Sequence, residues 1–580
     1  MGSEPQQEIW GIDTEWGYSD GRIDEESAFV PVVLCAVGLH SGQRHSFWRQ
    51  TPQLSEFFAD HADDLFVSHY ATAEMGYLQR LNIPAPARWF DTFSAFRRMA
   101  NTPGSLDAGL SFALHQLGSP HLAPAEKKEL QERIVSLRFD FDNPADQQRI
   151  VDYCFTDCDG TLALYERLRD SIDPQLMAVW VEYLKAVARM ELRGIPIDRE
   201  TYSKIGRLRH SIREELATAV NSIHEVFFDG ALSRKALIAW AASEGIVWPA
   251  RSDPRAGKRL QSIDDETLKS LEALHPFIGQ VRQVNKTLKH LSTRSLTVDS
   301  QTSRHHFSTS VFRSVTGRNQ PQGFIFSAPK WMRFLIVPES PEHVLVHVDY
   351  VAQEVGIAAA LSGDRTLSET YSATDCHMEF AIRASAAPGG ATKQTHARIR
   401  KAYKAVNLGV LYGQTAFGIA PCLGISQQAA QSLLDEHHRL FPDFWDWSEQ
   451  MVQAAFDRGR ITTPCGWTSR VPFVSNPRTW RNFPIQSTGG DIMRLTVIYL
   501  DRQNVRLLAP IHDGFLLSCR RDQLPELNEA ISFAFGTAVE QVLPGFPLRW
   551  ETTVYDQGRF EDEDGAEVWG KVRRLLEAHP

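Results

Sequence analysis

KQTHARIRKAYKAVNLGVLYG, residues 393–413, opens with five Lys or Arg in its first twelve positions and no acid. On a helix, Arg400, Lys404, Leu408 and Tyr412 recur every four residues and form one slowly drifting stripe, basic at one end and apolar then aromatic at the other. A solvated basic face accounts for the charges. It does not account for the same stripe running on into Leu408 and the segment YGQTAFG (412–418). Upstream, HVLVHVDY (343–350) alternates as a half-buried strand does and ends in Asp349, before the helical pattern VAQEVGIAAALSGD (351–364). Downstream, VRLLAPIHDGFLLSC (505–519) is an apolar hairpin with Asp513 at its turn. Taken singly, each is an ordinary turn Asp. Together they put two carboxylates at the ends of mostly buried strands, which suits two magnesium ions about a phosphoryl-transfer centre.

The first part of the chain repeats the acidic theme. EIWGIDTEW (8–16), FVPVVLCAVGL (29–39) and DLFVSHY (64–70) read as strands and Ile150–Leu168 as a helix, so residues 8–170 form an α/β unit. Asp13 and Glu15 project from one face of their strand and repel each other unless a cation lies between them. Tyr153 and Asp157 share a helix face, where Asp157 completes a metal site and the tyrosine hydroxyl orients a water. Two divalent ions on such acids activate that water and stabilise the leaving oxygen of a phosphodiester. From about 171 to 296 the pattern is almost wholly helical, an arm more than a core; strands return after 303, with a helical block over about 365–460.

Composition bounds these readings. A chain of 580 residues, 43% hydrophobic, 23% charged and 10% aromatic, builds about four globular units and is neither disordered nor fibrous. Seven scattered cysteines make no disulfide framework and fit a reducing compartment; Cys154 and Cys158, one turn apart, read as buried thiols and not as a zinc site. A net charge of −10 argues against generic coating of nucleic acid, though not against local basic patches. No long apolar stretch or leader pattern occurs, so the expectation is a cytoplasmic protein, in a bacterium or a virus-infected cell, with no membrane role. The tail GRFEDEDGAE (558–567) reads as an acidic surface run.

The order D-x-E, a middle acid, then Y-x-x-x-D resembles the proofreading 3′–5′ exonuclease domain, and YCFTDCDGTLAL (153–164) is close to its third motif throughout. The middle motif departs, with Glu74 of SHYATAEMGYL (68–78) where the family has Asp; one more methylene shifts the carboxylate by on the order of 1 Å, enough to weaken a tightly held centre. Most of the chain resembles the family A DNA polymerases, similar to the large fragment of bacterial DNA polymerase I and to virus-encoded relatives. DYVAQEVGIAAALSGD, R-x3-K-x7-YG and IHD stand in that family's order, supported by TGR (316–318), DCH (375–377), RGIPID (193–198) and R-x3-N-x3-Q at Arg478, Asn482 and Gln486.

The resemblance implies an α/β and α+β multidomain protein: an RNase H-like exonuclease (1–170), a helical thumb (171–302), palm (303–364), fingers (365–470), and the second part of the palm with a C-terminal tail (471–580). It implies Asp349 and Asp513 as polymerase metal ligands, and Asp13, Glu15, Glu74 and Asp157 with Tyr153 for the exonuclease. Each centre takes two Mg2+, or Mn2+. Arg400, catalytic Lys404 and His377 meet the incoming dNTP with Leu408 and Tyr412, and Glu354 is the gate against a ribose 2′-hydroxyl. Arg318, Arg478, Asn482, Gln486 and His512 face the minor groove of primer-template DNA, and Lys286, Lys289 and Arg294 hold duplex backbone from the thumb. No helicase or processivity factor is specified. Two departures are expected to alter nucleotide use and metal preference without abolishing activity: Leu408 where the family has an aromatic ring, and Gly514 where it has Glu. The competing readings are an exonuclease with a decayed polymerase domain, against which intact Asp349, Asp513, Arg400 and Lys404 count, and a non-catalytic DNA-binding replication scaffold, which predicts binding without magnesium-dependent turnover.

Overall fold

The computed structural model describes residues 7–18, 29–49, 52–104, 107–119, 124–253, 258–272, 275–293 and 296–579. Arg294 lies outside them.

The N-terminal unit is built on a five-stranded sheet of β1 (Ile9–Tyr18), β2 (Phe29–Gly38), β3 (Arg44–Trp48), β4 (Leu65–Ser68) and β5 (Trp89–Asp91), in the order β3-β2-β1-β4-β5. β1 and β3 run antiparallel to β2, while β4 and β5 continue parallel beside β1. The run Val32–Gly38 is buried throughout, as expected of a strand covered on both faces. Three helices frame its acids: α1 (Thr72–Arg80), α2 (Pro124–Val135) and α3 (Pro144–Leu168). Asn143 caps α3 by accepting from the Ala145 N–H, and Pro144 stands where no helical N–H is needed.

The helical arm holds α4 (Pro174–Arg193), α5 (Arg199–Asn221) and α6 (Pro276–Thr293). It is less uniformly helical than its sequence suggests. Small antiparallel pairs form at Phe227–Phe228 with Ala231–Leu232 and at Ala250–Asp253 with Lys258–Gln261. Helical periodicity in the flanking segments masks such short ribbons.

The second sheet is antiparallel throughout, in the order β7-β8-β6-β9: β6 (His343–Tyr350), β7 (Arg506–Ile511), β8 (Gly514–Arg520) and β9 (Trp550–Tyr555). The helical block between β6 and β7 includes α7 (Gln353–Ser362), α8 (Cys376–Arg383), α9 (Ala397–Leu411), α10 (Gln427–Leu440) and α11 (Pro442–Arg458), and is followed by α12 (Pro477–Arg502). The stripe from Arg400 to Leu408 lies within α9, which starts at Ala397 and leaves Lys393 outside. Thr392 and Thr395 exchange side-chain-to-backbone hydrogen bonds, a local turn that competes with helix. Tyr412 is the C-cap of α9 and not part of its interior.

The tail is also more than an acidic surface. Phe560 is buried, Asp562 pairs with Arg333 at 2.6 Å, and Asp564 pairs with Lys330. Among the described residues no helix is long and apolar enough to cross a membrane.

Candidate active sites

β6 and β8 bring Asp349 and Asp513 together. Ile511 pairs with Gly514, so His512 and Asp513 form a two-residue hairpin turn, with His512 at φ 55° where glycine is usual. A non-glycine residue held there is a local backbone strain. The Tyr350 N–H donates to the Asp513 carbonyl at 3.2 Å, which fixes the turn beside the end of β6. Gly514 is the register partner of Asp349, and a Cβ there would meet the Val348 carbonyl at 2.4 Å and Asp349 Oδ1 at 2.7 Å. Its bareness therefore leaves room for the close approach of β8 to the end of β6.

These acids form one wall of a cavity of 1180 Å3 that Arg400, Lys404, Leu408 and Tyr412 of the α9 stripe line from the other side, with Glu354 and His377. Asp375, which caps α8 through the His377 and Met378 N–H groups, also accepts from Arg400 Nε and so aims the guanidinium. Asn407 and His377 are in hydrogen-bond contact at 3.1 Å. Burial, with Lys404 and Arg400 adding to it, holds His377 down to about 4, a neutral imidazole at neutral pH.

Glu354 is the centre of a polar knot. Its Oε1 accepts from Gln486 Nε2 at 2.6 Å and from the Tyr412 hydroxyl at 3.1 Å, and Arg318 Nη1 stands 3.6 Å away. Gln486 Nε2 also donates to the Tyr412 hydroxyl at 2.5 Å. Burial raises the Glu354 carboxyl, against the Arg318 charge.

The remaining sequence-selected residues divide. Arg318 and His512 line a neighbouring cavity of 320 Å3. Asn482 is buried with its amide donating to the Leu411 carbonyl at 3.0 Å, so it closes the end of α9. Arg478, exposed, packs its stem near Gly413. Lys286 and Lys289 are on α6; Lys286 lines a separate cavity beside Lys330.

Sequence reasoning missed Glu551. It sits on β9 as the register partner of Asp349 on the other side from Gly514, and it opens into the same cavity. Burial first, then the charges of Asp513 and Glu551, push the Asp349 carboxyl up to about 7. Asp349 and Asp513 are the pair that would hold a hard divalent cation, whose charge relieves their repulsion, and Glu551 lines the same cavity as a further negative charge.

A second acidic cluster lies in the N-terminal unit. Ligand oxygens of Asp13, Glu15 and Asp157 all lie within 4.8 Å of one another, and Asp13 Oδ2 is buried without a hydrogen-bond partner, again a set that fits a divalent ion. A register shift follows Glu15 in β1, a bulge of the kind that re-aims a side chain. Burial first, then the neighbouring Cys154 and Asp157, pushes the Asp13 and Glu15 carboxyls up. Glu74, on α1, is not one of the converging three; it is buried, and burial lifts its carboxyl to about 8. Tyr153 shares the α3 face with Asp157, and its hydroxyl is buried.

A family model described as DNA polymerase family A matches residues 204–554. The chain belongs to DNA polymerase family A. Among curated members, DNA polymerase I of Lactococcus lactis subsp. lactis (strain IL1403) is 24% identical over 396 residues, 62% of this chain and 43% of that protein. DNA polymerase I of Chloroflexus aurantiacus is 26% identical over 540 residues, 86% of this chain and 55% of that protein. The chain therefore spans about half the length of the curated family A relatives it matches. The solved polymerase domain of Pol1 from M. smegmatis, in complex with DNA primer-template and dNTP, shares the fold, with a TM-score of 0.71 and 21% identity over 95% of this chain and 96% of that one. The family A match begins beyond the N-terminal carboxylate cluster.

Proposed function

We propose that this chain is a template-directed DNA polymerase that adds dNTPs to a primer 3′ end, with a 3′–5′ exonuclease centre in its N-terminal unit. The observation that carries the polymerase reading is the 1180 Å3 cavity, with Asp349 and Asp513 on one wall and Arg400 and Lys404 facing them. Two divalent ions, when bound, activate the primer 3′-oxygen and neutralise charge on the transferring phosphoryl group. Arg400, aimed by Asp375, and Lys404 bind the triphosphate oxygens from the opposite side. Leu408 and Tyr412, further along the stripe, meet sugar and base, and Glu354 occupies the space a 2′-hydroxyl needs. Arg318 and His512 reach the primer-template beside the cavity, joined by Arg478; Lys286 and Lys289 hold the duplex more distantly. The primer-template and dNTP in the M. smegmatis structure support the same choice of partners.

The assignment of exonuclease to 1–170, thumb to 171–302, fingers to 365–470 and palm to 303–364 with 471–580 belongs to this reading. An RNase H-like exonuclease is supported by the order β3-β2-β1-β4-β5 and by the convergence of Asp13, Glu15 and Asp157. Glu74 and Tyr153 border that centre.

One primer-extension experiment with Mg2+, offering dNTPs, rNTPs and ddNTPs separately on a recessed primer, tests the polymerase reading. Extension with dNTPs is expected, and its loss in Asp349→Ala and in Asp513→Ala with primer-template binding retained. Either variant extending within about tenfold of the parent defeats the two-aspartate assignment.

A further inference from the structure

The N-terminal carboxylate cluster is already faced by a cation of the chain's own. Lys127 of α2 donates from Nζ to both oxygens of Asp157, at 2.8 and 2.6 Å, and the two side chains are only 13% and 11% exposed. The ammonium also stands 5.7 Å from the centre of the Tyr153 ring. Lys127, Asp13 and Asp157 line one cavity of 650 Å3, so the lysine faces the space where a substrate strand would enter.

The helix that carries this lysine is pressed onto β1 at its far end. A Cβ at Gly17, near the end of β1, would meet the Leu137 side chain at 2.3 Å and the Ile134 carbonyl at 2.7 Å. The end of α2 and the turn after it are therefore pressed onto the strand that carries Asp13 and Glu15. With both Asp157 oxygens engaged by Nζ, the open ligand atoms of the cluster are those of Asp13 and Glu15.

We propose that the Lys127 ammonium takes the place of one of two cations, so that this centre holds a single divalent ion, on Asp13 and Glu15, with the lysine as its second positive charge. This rests on the exonuclease reading above. In the hydrolysis, a water oxygen bonds to phosphorus as the P–O3′ bond breaks. One water proton passes through solvent to the departing 3′-oxygen, leaving a 5′-phosphorylated nucleotide and a 3′-hydroxyl end. Lys127, with two N–H groups on Asp157, donates its third to an oxygen that gains charge and is unchanged at the end.

The test counts Mn2+ by electron paramagnetic resonance in the full chain carrying Asp349→Ala and Asp513→Ala, so that the polymerase ligands do not contribute. About one ion per chain is expected, rising to about two in Lys127→Met, which keeps length and loses charge, and staying at about one in Lys127→Arg. Two ions before the lysine is changed, or one ion after Lys127→Met, overturns the proposal. Adding Asp13→Ala should abolish the bound ion; if the ion remains, the cluster is not the metal site and the exonuclease reading itself fails. A readout that needs no lysine variant is the rate of 3′ degradation by the parent at limiting Mn2+. A rise with about the first power of the metal concentration is expected, and a rise with the second power sinks the idea.

Discussion

Asp349 and Glu551 are direct partners across adjacent antiparallel strands, and both open into the cavity that faces Arg400 and Lys404. Directly opposed side chains of an antiparallel pair lie on one face, and like charges so placed repel. A cation held between them turns that repulsion into binding. Glu551→Gln is expected to raise the Mg2+ concentration needed for half-maximal extension by about tenfold while leaving the rate at saturating Mg2+ within a few-fold of the parent. A Mg2+ titration of primer extension decides it; an unchanged midpoint removes Glu551 from the metal's surroundings.

Sugar selection should follow the Glu354 knot. Glu354→Ala removes the group to which Gln486 and Tyr412 both donate, and opens the space beside the nucleotide sugar. The ratio of kcat/KM for an rNTP to that for the matching dNTP is expected to rise about tenfold or more. In the same assay Leu408→Tyr is expected to favour ddNTPs relative to dNTPs. Because both ratios cancel a general loss of activity, two unchanged ratios would mean that the sugar lies elsewhere.

For the N-terminal cluster, Asp13→Ala is expected to lower 3′ degradation by on the order of 100-fold or more, since it removes a ligand of the ion that activates water. Extension should persist. Glu74→Asp, which draws a buried carboxyl back by one methylene, is expected to keep or raise degradation. Degradation that survives Asp13→Ala in a nuclease-free preparation contradicts the assignment.

Acid should destabilise the fold through its buried imidazoles. Burial holds His437 down to about 3, and His69, His305, His347 and His377 to about 4. The unfolded chain takes up these protons near pH 6.5 and the folded chain does not. Their neutral forms therefore support the fold fully above about pH 6.5, and each loses about 1.4 kcal/mol per pH unit as the pH falls towards its folded value. His437 accepts from the Trp445 indole at 3.2 Å and sits among Phe380, Phe441 and Phe444. His437→Gln should make the decline of Tm between pH 6.5 and 4.5 shallower, as thermal unfolding at several pH values would reveal; an equal slope excludes His437 from the acid response.

Period-two and period-four patterns carried much of this structure into view. The strand ending at Asp349, the hairpin turn at Asp513 and the Arg400–Lys404–Leu408 stripe are local signals, and they meet at one cavity. Glu551 and Lys127 were not legible, for a shared reason. An acid in WETTVY and a lysine in EKKELQER each look like solvated surface, and only pairing between distant segments sets them beside Asp349 and Asp157. The helical block read over about 365–460 is interrupted before α9, where Thr392 and Thr395 side-chain hydrogen bonds form a local turn. Asn482 and Gln486 fit their helical spacing, yet their amides are engaged within the protein, on Leu411, Glu354 and Tyr412.

The layout of the second sheet also dictates an order of assembly. β6 pairs with segments at 514–520 and 550–555, with the whole helical block intervening, whereas the strands of the first sheet all fall within residues 9–91. Closing long loops is slow, so during synthesis the first sheet can form while β6 still waits for its neighbours. Until Trp550–Tyr555 arrives, β6 keeps one hydrogen-bonding edge open, and a ribosome stalled in that interval would display the bare strand edge on which nascent chains stick to one another.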